Sequence, residues 1–91
     1  MHITPELSHL IDIVAEGQMH FLLAARGTNP GTPERAEHLQ AVERSVKKAR
    51  EIVTGMGGLK NLPAATAVAL RICELGLERL GGPKAPPKEE V

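Results

Sequence analysis

The chain is 91 residues long, and its lysines plus arginines equal its aspartates plus glutamates, so the formal net charge is zero. That length holds one small domain, and the balanced charge argues against a nucleic-acid-binding domain, which normally carries a basic excess. The single cysteine excludes an intramolecular disulfide framework. One phenylalanine, with no tyrosine or tryptophan, leaves the core to aliphatic side chains.

The first predicted helix, residues 5–26, opens with Thr4, Pro5 and Glu6: an N-cap hydroxyl, a proline whose missing N–H costs nothing there, and an acid at the positive end of the dipole. Ile3, Leu7, Leu10, Val14, Gly17, Phe21 and Ala24 follow at alternating spacings of four and three and define one apolar seam, broadened by Ile11, Leu22 and Ala25. Gly27 is expected as its left-handed terminator. The next residues, Gly27 to Gly31, read GTNPG, a short turn that makes the flanking helices antiparallel neighbours.

The second helix, residues 33–56, repeats the same opening with Thr32, Pro33 and Glu34. Its seam is Leu39, Val42, Val46, Ala49, Val53 and Met56, and Ala41, Ser45 and Ala49 are small enough to admit a close neighbour. Glu43 and Lys47 are placed for a favourable i, i+4 pair on a face of mixed charge. Gly55, Gly57 and Gly58 end the helix in a reversal or hinge.

The third helix, residues 63–80, is expected to be capped by Asn61 or Leu62, with Pro63 in its first turn. Its apolar residues, Ala65 and Val68 through Leu80, cover an arc of roughly 200°, leaving Arg71, Glu74, Glu78 and Ala67 as a narrow polar stripe. So much apolar girth implies neighbours on more than one side. Ala65, Ala69 and Gly76 form a lane of small residues where helix 1 is expected to cross near Gly17. Residues 83–91, rich in proline, lysine and glutamate, are expected to be a disordered tail following a three-helix domain over 1–82.

Three groups of side chains invite a chemical reading. His9, Asp12, Glu16 and His20 lie at spacings of three and four on helix 1, a stripe of possible metal ligands or acid–base groups, and His38 could add a further ligand. The stripe's centre lies about 140° from the apolar seam, so it is read first as a solvated face. Arg44, Lys47, Lys48 and Arg50 are the one basic cluster on helix 2, available to an anion or a nucleic-acid backbone but interleaved with Glu43 and Glu51 and lacking aromatic stacking partners. Cys73 falls inside the apolar arc, where a thiol packs as a small hydrophobe and is no activated nucleophile. The glycines before Lys60 lack the strand and the glycine, lysine, hydroxyl spacing of a phosphate-binding loop. The end of helix 3, ELGLERL, resembles the second helix of ribbon-helix-helix repressors over seven residues, without the strand that precedes it in those proteins, and the family is not assigned on it.

These patterns predict an all-α fold, a small three-helix antiparallel bundle with helix 3 at its centre, completed by oligomerisation. Val68, Leu70, Cys73, Leu77 and Leu80 are the expected interface of a homodimer or higher oligomer. The function expected first is that of a non-enzymatic helical protein that binds another protein, as an adaptor, inhibitor or assembly factor, with no cofactor. A dimeric DNA-binding regulator using the basic cluster is the alternative, and a metal-binding protein using the helix 1 stripe is third. With no run approaching the ~18 apolar residues of a membrane span and no secretory leader pattern, a cytoplasmic location away from membranes is expected.

Overall fold

A computed structural model describes residues 3–80; the expected C-terminal tail lies outside the described residues. Among the described residues the fold is all-α: α1 (Pro5–Gly27), α2 (Pro33–Gly55), a single 3₁₀ turn over Leu59–Asn61, and α3 (Ala64–Leu80).

The two Thr-Pro-Glu starts act as their sequences imply. Thr4 Oγ1 accepts from the Leu7 amide at 3.1 Å and Thr32 Oγ1 accepts from the Arg35 amide at 3.3 Å, each satisfying an otherwise orphaned donor of a first turn. The helix ends differ from one another. Gly27 is the last residue of α1 and not a left-handed cap; the turn is closed instead by Thr28, whose hydroxyl donates to the Ala24 carbonyl at 2.7 Å. Arg35 then reaches back across the loop, donating to Thr28 Oγ1 at 3.2 Å and to its carbonyl oxygen at 3.1 Å. α2 ends in a Schellman motif: the Gly58 amide donates to the Val53 carbonyl at 3.0 Å and the Gly57 amide to the Thr54 carbonyl at 3.2 Å. Gly57 has φ +95°, which an L side chain rarely adopts, so its glycine is dictated by backbone geometry. Asn61 does not cap α3. Its side-chain amide donates to the Met56 carbonyl at 2.6 Å, and the first helical bond of α3 runs from the Ala67 amide to the Pro63 carbonyl.

The helices run up, down and up. α2 is antiparallel to α1 through the short loop, and α3 returns parallel to α1: Gly17 meets Cys73, and further along Phe21 meets Gly76. Leu7, Leu10 and Val14 of α1, Ala49 and Val53 of α2, and Leu62 and Leu70 form the main buried cluster. The central element is α1, which packs on both other helices, whereas α2 and α3 meet less extensively. The expectation of a central α3 is therefore corrected. The small residues explain this geometry, because close approach needs them on both partners. A Cβ added at Gly17 would lie 3.0 Å from Ser45 Cβ and 3.5 Å from Cys73 Sγ, so all three helices converge there. A Cβ at Gly76 would overlap the Phe21 ring. Helix 1 occupies the small-residue lane of α3 at Gly76, where Phe21 fills it, while Ala65 at the other end is exposed.

Candidate functional site

The α1–α2 hairpin carries a groove of about 440 Å³ along one side. Its α1 wall is His9, Ile13, Glu16 and His20; its α2 wall includes Glu37, His38, Arg44, Ser45 and Lys48. Three members of the predicted helix 1 stripe thus stand together in one groove, while Asp12 is exposed and outside it. His9, Asp12 and Glu16 are exposed, as on a solvated face, and His20 is the half-buried member of the stripe. Antiparallel pairing puts His20 opposite His38, with Nδ1 to Nδ1 at 3.0 Å, ring centroids 5.2 Å apart and ring planes inclined by 36°. Both histidines are half-buried. At that separation the two rings are hydrogen-bonded through Nδ1 in the tautomer in which one donates its N–H and the other accepts through its lone pair.

The basic cluster is split by the fold. Arg50 is drawn to α3, where Nε donates to Glu74 Oε2 at 2.6 Å and Nη2 to Oε1 at 2.8 Å, a two-pronged ion pair to which Arg71 adds a longer contact of 3.5 Å. This pairing holds the Glu74 carboxyl below the usual carboxylate range and raises Arg50, the direct hydrogen bonds being the main cause in each case. Arg44 and Lys48 line the histidine groove, and Lys47 is exposed outside it, so the four cations do not form one surface.

The residues expected at an interface also separate. Leu70 and Cys73 are each 1 % exposed within the single chain and belong to its core, which corrects their placement on a surface. Burial pushes the Cys73 thiol up to about 11, with the Glu74 carboxylate adding to the effect, so it is an inert packing group. Leu77 and Leu80 are half-buried, whereas Val68 is 57 % exposed.

The exposed apolar surface lies elsewhere on α3 than the helical wheel implied. Val68, Ile72 and Leu75 follow at spacings of four and three along one exposed stripe. Beside them a shallow groove of about 170 Å³ separates α1 from α3, lined by Ile11, Val14, Ala15 and Gln18 on one side and Ala65, Thr66 and Ala69 on the other. At 100° per residue, Met19 and Leu22 extend the α1 rim from Ala15, and Val68 and Ile72 extend the α3 rim from Ala65. Leu22 is 53 % exposed and Met19 is exposed beside it. The result is one apolar face across the α1–α3 pair, turned away from the histidine groove. Ile72 and Leu75 were absent from the expected interface because the wheel alone does not reveal the rotation of α3 about its axis.

The described residues contain no helix long and apolar enough to cross a membrane. Compared with family models, characterised proteins and solved structures, the chain matches none.

Proposed function

We propose that this protein is a non-enzymatic helical interaction module that pairs with a second copy of itself through the α1–α3 face. The observation that carries this reading is the exposed run Val68, Ile72 and Leu75 beside Leu22 and Met19. Branched and long aliphatic side chains at spacings of four and three are the pattern by which one helix seats itself on another, and removing such a stripe from water is favourable in proportion to its apolar area. Two identical stripes satisfy each other about a two-fold axis, the commonest arrangement among soluble oligomers. A core with a single phenylalanine also has more to gain from association than one rich in aromatic side chains. The remaining faces then stay free for a protein partner of the assembled dimer.

Sedimentation equilibrium on the purified chain tests the proposal. The wild type is expected at dimer mass or above, and the double variant Val68→Lys, Ile72→Lys at monomer mass with unchanged helical circular dichroism. A wild type that stays monomeric at every concentration tested would overturn it.

A further inference from the structure

We propose that His20 and His38 form a two-imidazole site for a late first-row divalent ion, copper(II), nickel(II) or zinc(II), bridging α1 and α2. Two ring nitrogens bound to one such ion at about 2.0–2.1 Å, with about 90–110° between the bonds, lie roughly 2.8–3.4 Å apart. The 3.0 Å separation of the two Nδ1 atoms falls in that interval, and with the ring centroids 5.2 Å apart each ring need only turn within its place for both lone pairs to meet at the ion. The rings reach it from different helices, so the spacing is set by the packing of the hairpin and not by one flexible segment.

Binding replaces the hydrogen-bonded proton. The donor ring carries its hydrogen on Nε2 instead, which frees the second Nδ1 lone pair; a neutral pair takes up the ion without net proton release, and a singly protonated pair releases one proton. No three His, Cys, Asp or Glu side chains among the described residues converge on one point. The site is therefore two protein nitrogens, with water in the remaining positions, in a groove that Glu16 and Glu37 also line. Imidazole selects late transition ions over calcium or magnesium, which prefer cages of oxygen, and the Irving–Williams order puts copper(II) first. Arg44 and Lys48 in the groove further disfavour a purely electrostatic trap for hard cations. Because the ion ties α1 to α2, it binds the folded chain more tightly than the unfolded one, and so raises the melting temperature. This inference is independent of the dimer proposed above.

The full chain, made without a histidine tag, is titrated with copper(II), nickel(II) and zinc(II) in a non-coordinating buffer by calorimetry. Saturable binding of one ion per chain, tightest for copper(II), is expected. His20→Ala and His38→Ala should each weaken binding by at least the about 10–100-fold typical of losing even an outer-shell partner, while His9→Ala leaves it unchanged. The imidazole ¹⁵N spectrum of the unsubstituted chain reads the same site without a variant: zinc(II) should move the Nδ1 resonances of His20 and His38 together. Equal affinity of His38→Ala and wild type, zinc shifts confined to other histidines, or no saturable binding of copper(II) overturns the proposal.

Discussion

Both sides of α1 are packed closely, and they differ in the polar contacts added to that packing. Toward α2 the contact is fixed at one end by the Thr28–Arg35 hydrogen bonds and along its flank by the His20–His38 pair, polar contacts with defined partners and directions. Toward α3 the contact is a matter of shape: Phe21 against Gly76 and Cys73 against Gly17. Among the described residues the one strong polar link from α3, Glu74 with Arg50, goes to α2. The hairpin therefore adds directed hydrogen bonds to its close Gly17–Ser45 packing, while α3 is docked by complementary surfaces and steadied by one ion pair.

The sharpest way to break this contrast is to spoil the shape. Gly76→Ala should cost about 1–2 kcal/mol net, because the added Cβ overlaps the Phe21 ring and one of the two must move, which outweighs the about 1 kcal/mol that alanine gains over glycine within a helix. Urea unfolding measures it, and a variant more stable than the wild type would show that α3 is not docked through Phe21.

A smaller effect is expected from the ion pair. Glu74→Gln removes the charge from a side chain only 16 % exposed, but its partner Arg50 is 42 % exposed and screened, so the expected loss is about 1 kcal/mol. The same link predicts a pH dependence. The Glu74 carboxyl is depressed in the folded chain, so its stabilisation is complete above the ordinary carboxylate range and is lost as pH falls through its folded value. Glu74→Gln should flatten the acid limb of the stability curve. Urea midpoints from pH 7 down to pH 3 for both chains check this, and identical slopes would refute it.

The smallest expected effect lies at the loop. Arg35→Ala removes two donors from Thr28 on the polar side of α1, at about 0.5–1.5 kcal/mol, with the lower end expected at a partly exposed site. Thermal melts of this variant beside Glu74→Gln then rank the two polar links directly.

Much of the fold was legible because its signals are local. The Thr-Pro-Glu starts, the turn at Gly27 to Gly31 and the seams through Leu10 and Val42 each declare themselves within a few residues. What a wheel does not contain is the partner of a polar residue. Arg71, Glu74 and Glu78 read as one polar stripe, yet Glu74 faces Arg50 on α2 while Cys73 and Gly76 face α1, and this rotation leaves Val68, Ile72 and Leu75 outside. Gly27 looked like a left-handed cap, but the Thr28 hydroxyl serves the Ala24 carbonyl without one. The histidine pair was half visible. His20 and His38 stand equally far from Asn29, and folding the two helices back about that loop brings them opposite each other, a signal that lies in the hairpin and in neither helix alone.

Phe21 supplies the one phenyl ring of the chain, and it rests on the only glycine within α3. A ring current acting on the two Gly76 α-protons should move them away from their usual chemical shifts and make them unequal. That pair of resonances then reports on the seating of α3, collapsing toward a common value whenever the helix lifts off, in a spectrum almost free of competing aromatic signals.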